Sequence, residues 1–415
     1  MDSKELYRVL LGIVEPWTVE RVELDMARQE VAVFVTHRPK TRFRCPRCER
    51  ELGVFDHLAE RRWRHLDSCQ FMTYLHAQPP RTDCPEHGRL QVELPWAAAG
   101  VRFTHMFEAL AIDVLLAANV KRAAQLLRIT WDEAWGVMER AVTRGRLAKQ
   151  HAVPRHIGID EKAIAKGHRY MTLVCDLQQG CVEYIGEERS EESLAPYFAA
   201  FEPEQLAQIE SVCMDMWQAY RNAVRRAVPG ADDKIVFDRF HIMQHVLEAL
   251  DQVRRQENKA LRAAGDERLV KTKYLWLRSQ EHLTDAAAAQ FAALKGATLK
   301  TARAWALKEC LRTLWDYASR GWAERFWRRW YFWATHSRLA PMIEKAQMIQ
   351  RHLHNVLTYF NHRVTNAVAE GLNSKIATVQ KRACGFRNRD HFKIAVYFHC
   401  GGLSLHPPAL TPRNV

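Results

Sequence analysis

The sequence predicts an α/β core split by a long helical segment and preceded by two small modules, one rich in β-structure and one helical. Three observations carry this. Residues 156–240 alternate strand and helix patterns, residues 240–360 read as almost wholly helical, and residues 41–100 hold cysteine-containing turns among Arg, Trp and Pro. At 415 residues and 47% apolar content, the chain is long enough for two or three domains with real cores.

Residues 1–40 open with a short helix pattern and then alternate. Val19, Arg21, Glu23 and Asp25 interleave with Glu20, Val22 and Leu24, and Val31, Val33 and Val35 interleave with Ala32 and Phe34. A β-hairpin joined through Met26 to Glu30 is expected.

Next come Cys45-Pro-Arg-Cys48 and Cys84-Pro-Glu-His87-Gly88. A C-x-x-C turn sets two thiolates on one side of a metal, and a second knuckle from a distant hairpin completes a tetrahedron. Cys45, Cys48, Cys84 and His87 are therefore the candidate ligands of a structural zinc, all four positions being filled by protein. The plainer reading is two unrelated turns with free thiols. Cys69, between the knuckles, is expected in the core.

Residues 103–146 are helical with a break at Arg128 to Thr130. Asn119 to Leu127 forms one helix pattern, and Thr130 with Glu133 is a capping-box start for another bearing Trp131, Ala134, Trp135 and Met138. Two helices across a three-residue turn fit a helix-turn-helix as well as an ordinary helical hairpin. In the first reading Lys121, Arg122 and Arg128 face phosphates and Trp131 lies at the DNA. Arg144 to Pro154 is the expected hinge.

The core follows. Ile157-Gly158-Ile159-Asp160 ends one strand pattern. A turn at Lys166-Gly167, strands Tyr170 to Cys175 and Cys181 to Ile185, a helix Glu191 to Phe201 and a strand ending at Asp215 come next. This is the order of a ribonuclease H-like domain, in which the first and fourth strands lie side by side. Asp160 and Asp215 then become neighbours.

A third acid, Glu370, sits in a helix whose apolar stripe is Val364, Val368, Leu372, Ile376 and Val379. Glu370 falls opposite, with Arg363, Asn366, Asn373 and Lys381. A solvated polar face is the bland alternative, but Gly371 in mid-helix suggests a close approach. Three converging carboxylates suit magnesium, and two such ions can clamp an in-line phosphoryl displacement. Glu161 should turn away from Asp160 by strand alternation. Asp176 also ends a strand pattern. Asp238, His241 and Asn373 are expected beside the acids, supporting them. Lys375, Lys381, Arg382, Arg387 and Arg389 would suit a DNA backbone.

Charge agrees with that substrate. Lys plus Arg number 61 against 48 acids, a formal +13, which favours polyanionic partners. No apolar run approaches a membrane span, and no secretory signal is visible. Ten scattered cysteines argue against a disulfide framework and for a reducing compartment.

With these residues in place, the chain resembles a bacterial insertion-sequence transposase of the DDE class, in the ISL-three family. The likeness runs through the two knuckles, Trp63-Arg64-His65-Leu66-Asp67, the helical pair at Ala123 to Glu139, Gly158 to Glu161, Asp215-Met-Trp217-Gln-Ala-Tyr220, Asp238-Arg-Phe-His241, Glu370 to Lys375 and Gly385-Phe-Arg-Asn388. The family usually has cysteine where this chain has His87.

The resemblance implies that Asp160, Asp215 and Glu370 hold two magnesium ions, or manganese in their place. It implies double-stranded DNA as substrate, at terminal inverted repeats and at a target, and a homo-oligomer of at least two copies. A cytoplasmic, nucleoid-associated bacterial protein is expected, with no membrane. A catalytically silent DNA-binding regulator derived from a transposase is the alternative, and a structure-specific nuclease without strand transfer a further one. The implied modules are residues 1–100 (hairpin and zinc ribbon), 101–150 (helix-turn-helix), 151–254 (first part of the core), 255–350 (helical insertion) and 351–415 (second part of the core and basic tail). Trp305, Trp315, Trp322, Trp327, Trp330 and Trp333 fall in the insertion, either as its aromatic core or as stacking surfaces for distorted bases.

Overall fold

The computed structural model describes residues 2–149, 152–165, 169–278, 281, 284–296 and 298–407. Two compact units emerge. One contains residues up to 149 with 380–399 and 403–407; the other contains the described residues of 152–379 with 400–402.

The first unit opens with α1 (Ser3–Leu10) and eight strands. These are β1 (Trp17–Asp25), β2 (Glu30–His37), β3 (Arg42–Arg44), β4 (Glu51–His57), β5 (Arg61–Arg64), β6 (Met72–Ala77), β7 (Pro80–Cys84) and β8 (Gly88–Gln91). They form two four-stranded sheets, ordered β1-β2-β6-β5 and β3-β4-β7-β8. The hairpin falls where alternation put it: β1 and β2 pair antiparallel from Trp17↔His37 to Asp25↔Glu30. Asp25 caps its turn by accepting the N–H groups of Ala27 and Arg28, each at 2.9 Å. Val31, Val33 and Val35 point into a core with Leu75 and three tryptophans. Trp96 meets Trp17 and Trp63 edge-on, at centroid distances of 4.8 and 5.8 Å. Cys69, expected in that core, is exposed instead. It sits at φ 49° in the tight turn bridging Ser68 and Phe71, where its side chain cannot reach inward.

Three helices follow, α2 (His105–Ala117), α3 (Val120–Leu127) and α4 (Trp131–Ala148). The stretch is broken twice, not once. Asn119 adopts extended backbone and its side chain accepts the N–H of Arg122 at 2.9 Å, starting a new helix. Thr130 and Glu133 make the expected capping box, which contributes about 1 kcal/mol. Helix α4 runs on to Ala148, so the first part of the expected hinge is helical.

The second unit is built on β9 (His156–Ala165), β10 (Arg169–Asp176), β11 (Cys181–Glu187), β12 (Ser211–Met214) and β13 (Ile235–Phe237). Their order is β11-β10-β9-β12-β13. The first three strands run antiparallel, while β12 and β13 run parallel to β9. The turn expected at Lys166-Gly167 lies outside the described residues. Between β11 and β12 stand two short helices, α5 (Ala195–Phe198) and α6 (Pro203–Ala207), rather than one from Glu191 to Phe201. Pro196 and Pro203 fit only the first turn of a helix, so each begins one. Next come α7 (Gln218–Ala227) and α8 (Ala231–Lys234). Asp176 lies at the β10–β11 turn, accepting from the N–H groups of Gln178 and Gln179.

The helical layer comprises α9 (Arg239–Ala263), α10 (Lys273–Leu277), α11 (Asp285–Lys295), α12 (Lys300–Arg312), α13 (Arg320–Thr335), α14 (Ala340–Arg351), α15 (Leu353–Leu357) and α16 (Tyr359–His362). It shares one apolar core with the sheet. Trp305, Trp315, Trp327 and Trp330 are buried there, whereas Trp322 and Trp333 are exposed. The aromatic-core reading therefore holds for four of the six.

Helix α17 (Ala367–Arg382) and helix α18 (Arg389–Cys400) end the described fold. Within the first unit, the tail packs on the helical module. His391 lies over Trp135 at 4.3 Å between centroids, Asn119 donates to the Arg382 carbonyl at 3.4 Å, and the Arg146 guanidinium covers Tyr397 at 4.6 Å. No helix among the described residues is long and apolar enough to cross a membrane.

Candidate active site and zinc centre

In the sheet, Met214 pairs with Ile159 in parallel register, so Asp160 and Asp215 are the next residues on adjacent strands. Strand β9 does not end at Asp160. It continues along β10 to Ala165, and only its ladder with β12 stops, which frees the Asp160 side chain at that edge. Each aspartate accepts the N–H of the residue after it, Asp160 from Glu161 at 2.8 Å and Asp215 from Met216 at 2.6 Å.

Helix α17 reaches these acids because of Gly158. A Cβ there would stand 2.8 Å from Asn366 Oδ1 and 3.4 Å from the Ala369 Cβ, so only glycine lets the helix lie on the strand. Gly371, expected to mark a close approach, is exposed with nothing near it. The polar face of α17 is not solvated. Asn366 is fully buried, Glu370 and Asn373 are half-buried, and Asn373 Nδ2 donates to Asp160 Oδ2 at 2.6 Å. Lys162 Nζ donates to the Asn373 carbonyl at 3.0 Å. Arg363 departs from that face; it lies at φ 54° and donates to the carbonyls of Tyr317 and Ala318. Val364 precedes the helix, whose buried stripe is Ala369, Leu372 and Ile376.

Charge in this region is unbalanced. Burial pushes the Asp160 carboxyl up, with the Asp215 charge adding to it. Glu370 is raised by burial and then by the Asp238 charge, and Asp238 is raised by its own burial. Asp238 is 3% exposed; Oδ1 lies 3.4 Å from the Asn366 N–H, and Oδ2 has no partner among the described residues. His241 Nδ1 stands 3.9 Å from Asp215 Oδ2. Carboxylates held this close to one another's charge are the donor type a hard divalent cation takes, and such an ion would neutralise them.

One residue here, Arg189, had no signal in the sequence. Glu161, expected to turn away, ion-pairs with Arg189, and the same guanidinium reaches Asp215 Oδ2 at 3.5 Å. Arg189 also lies over the Trp217 ring at 4.1 Å. An arginine inside the charge run after β11 reads as a solvated residue until the fold turns it inward.

The zinc ligands meet in the first unit, where the turn after β3 carries Cys45 and Cys48 and the turn after β7 carries Cys84 and His87. All four donor atoms lie within 4.8 Å of one another. Cys48 Sγ to Cys84 Sγ is 3.6 Å, Cys84 Sγ to His87 Nδ1 is 3.6 Å, and Cys45 Sγ to His87 Nδ1 is 3.9 Å. A tetrahedron with zinc–sulfur bonds of ~2.3 Å has edges of about 3.8 Å, so the donor set fits zinc through Nδ1 of His87. The Arg47 N–H, with that of Cys48, lowers the Cys45 thiol to about 6, favouring the thiolate a metal binds.

The basic candidates fare unequally. Lys121, Arg122, Lys375, Lys381, Arg382, Arg387 and Arg389 are exposed. Arg128 caps α3 at φ 55°, and its guanidinium pairs with Asp67 and donates to the Gln70 carbonyl at 2.9 Å. It braces the helical module within the first unit. Trp131 is 43% exposed and stacks on Trp135 at 5.4 Å.

Comparison with known proteins places these parts. Residues 41–87 match the zinc-finger of transposase IS204/IS1001/IS1096/IS1165, residues 92–142 the helix-turn-helix domain of transposase family ISL3, and residues 157–396 the ISL3 transposase domain. The transposase for insertion sequence element IS1557 of Mycobacterium tuberculosis is 29% identical over 444 aligned positions, covering 100% of this chain and 98% of that one. The transposase for IS1001 of Bordetella parapertussis is 27% identical over 396 positions, covering 93% and 96%. With DNA-binding modules and a DDE domain matched in chain order, this is a DNA transposase of the DDE class. The transposase match spans more than half of its residues, and the chain belongs to the ISL3 family. Membership implies divalent-metal chemistry and a zinc-bearing ribbon.

Proposed function

We propose that Asp160, Asp215 and Glu370 form the catalytic centre, on a ribonuclease H-like core, of an enzyme that cuts and joins the terminal inverted repeats of its own insertion sequence. The carrying observation is the side-by-side placement of Asp160 and Asp215 at the β9–β12 ladder end, with α17 bonded to Asp160 through Asn373. The sheet order β11-β10-β9-β12-β13, with three antiparallel strands followed by two parallel ones, supports the ribonuclease H-like assignment. The modules proposed for it are 1–100, 101–150, 151–254, the helical insertion 255–350, and 351–415.

Two magnesium ions, or manganese, held by the three acids would activate the attacking oxygen and steady the leaving one in an in-line displacement. The protein's own residues prepare that site. Asn373 fixes the Asp160 carboxylate, Gly158 sets the distance of α17, and His241 stands beside Asp215. Asp238 flanks Glu370 from the end of β13. No protein side chain need bond covalently to DNA, since the freed 3′-hydroxyl is itself the nucleophile for joining. The zinc ribbon and the helix-turn-helix bind the repeats, with Lys121, Arg122 and Trp131 toward the duplex. Lys375, Lys381, Arg382, Arg387 and Arg389 contact backbone phosphates. Joining two ends requires at least a dimer, working at the nucleoid in the cytoplasm.

The test is cleavage of a duplex carrying the element's inverted repeat in magnesium, comparing wild type with Asp215→Ala. Nicking at the repeat boundary by wild type alone supports the assignment. Equal nicking by both removes Asp215 from the centre.

A further inference from the structure

We propose that Arg189 is the cation that receives the scissile phosphodiester, held ready by Glu161 and Trp217. This rests on the reading of Asp160 and Asp215 as catalytic acids.

The geometry is specific. Arg189 follows β11, and its guanidinium is held on three sides. Glu161 pairs with Nε, the Trp217 ring lies 4.1 Å beneath the plane, and Asp215 Oδ2 stands 3.5 Å from Nη2. The last distance is long for a charge-assisted bond, so Glu161 and Trp217 are the anchors and Asp215 is a neighbour. Among the described residues Nη1 has no acceptor, and Glu161 holds Nε as an ion pair without a hydrogen bond. The side chain is 24% exposed, open enough for a ligand yet fixed in place.

A planar fork with its stem immobilised loses little freedom on gaining a partner. Asp215 cannot be that partner once a divalent ion takes its oxygen. The remaining anion is the DNA phosphate, which must approach Asp215 for the reaction to occur. In phosphoryl transfer, negative charge spreads over the non-bridging oxygens, and a preorganised guanidinium stabilises it there. Arg189 therefore neutralises Asp215 before loading and the phosphate after it, while Glu161 and Trp217 act only by positioning it.

The test uses the full-length protein and two duplexes bearing the terminal inverted repeat, one natural and one with a single neutral methylphosphonate at the scissile position. With calcium in place of magnesium, to load the acids without turnover, wild type should bind the natural duplex about 10-fold more tightly than the neutral one, a charged hydrogen bond's worth. Arg189→Ala should bind both alike, and its cleavage in magnesium should fall by about 10²–10³-fold. Arg189→Lys, which keeps the charge but not the fork, and Glu161→Gln, which loosens the stem, should retain part of both effects. These two variants carry the test if Arg189→Ala does not fold. Persistent discrimination by Arg189→Ala overturns the proposal. So does a variant that cleaves normally at lower magnesium, because Arg189 would then only compete with the metal. Asp215→Ala separates the two readings: it should still distinguish the duplexes while cleaving neither. Wild-type cleavage by Asp215→Ala defeats the assignment of the acids instead.

Discussion

Asn373 donates to Asp160 at 2.6 Å from one helical turn beyond Glu370, so a single side chain ties the third acid's helix to the first acid's strand. Without that bond the Asp160 carboxylate keeps the Glu161 N–H on Oδ1 but loses the hold on Oδ2. A misplacement of about 1 Å costs about 10²-fold in a reaction that depends on alignment. Asn373→Ala should therefore cut repeat cleavage by roughly that factor while repeat binding in EDTA stays unchanged. Parallel loss of binding and cleavage would show that Asn373 serves the fold rather than the centre.

Gly158→Ala should act on the same spacing from the opposite side. The added methyl meets Leu177 Cδ2 at 2.7 Å and Asn366 Oδ1 at 2.8 Å, so one of the two must move. Overpacking of this kind costs about 1–3 kcal/mol and should lower the melting temperature. Cleavage should fall further than the stability loss accounts for, since α17 carries Glu370. Gly371→Ala is the internal comparison: nothing lies within 4 Å of its Cβ, and an alanine in mid-helix should stabilise slightly.

Much of this was legible in the chain, and the exceptions have physical causes. The β1–β2 hairpin followed from alternation, the zinc set from knuckle spacing, and the start of α4 from Thr130 and Glu133, because each signal is local. The neighbouring places of Asp160 and Asp215 followed from strand order. What failed was long-range. Gly371 was credited with the close approach that belongs to Gly158, since periodicity shows a helix face but not what packs on it. Asn366 gave no sign of its full burial for the same reason, whereas Asn373 lies beside Asp160 as expected. Cys69 misled because its turn depends on a left-handed residue that composition does not reveal. Arg189 left no trace, because three partners far apart in sequence define its role.

Zinc should hold the ribbon through three thiolates and one imidazole. Cobalt substitution should give sulfur-to-metal charge-transfer bands that strengthen in His87→Cys and weaken in Cys48→Ser. Chelation should unfold the β3-β4-β7-β8 sheet, whose two tight turns carry the ligands, and repeat binding should go with it. An unchanged circular dichroism spectrum after complete zinc removal would contradict this.

The first unit should also lose stability in mild acid through His65. This imidazole is 7% exposed, its Nδ1 lies 2.9 Å from Thr104 Oγ1, and burial, helped by the Arg64 charge, lowers it from 6.5 to about 4. The folded protein thus keeps His65 neutral where the unfolded chain takes up a proton. The stability this gives is complete above pH 6.5, declines as pH falls, and is fully lost near pH 4. The shift corresponds to about 3 kcal/mol. Zinc ligands and carboxylates titrate in the same range, so the informative quantity is a difference between variants. Denaturant melts of wild type and His65→Asn, followed from pH 7 to pH 4, should show a steeper loss for wild type, with the variant less stable at pH 7 and the gap closing in acid. Parallel pH profiles would mean that folding leaves the proton affinity of His65 unchanged, and would contradict this.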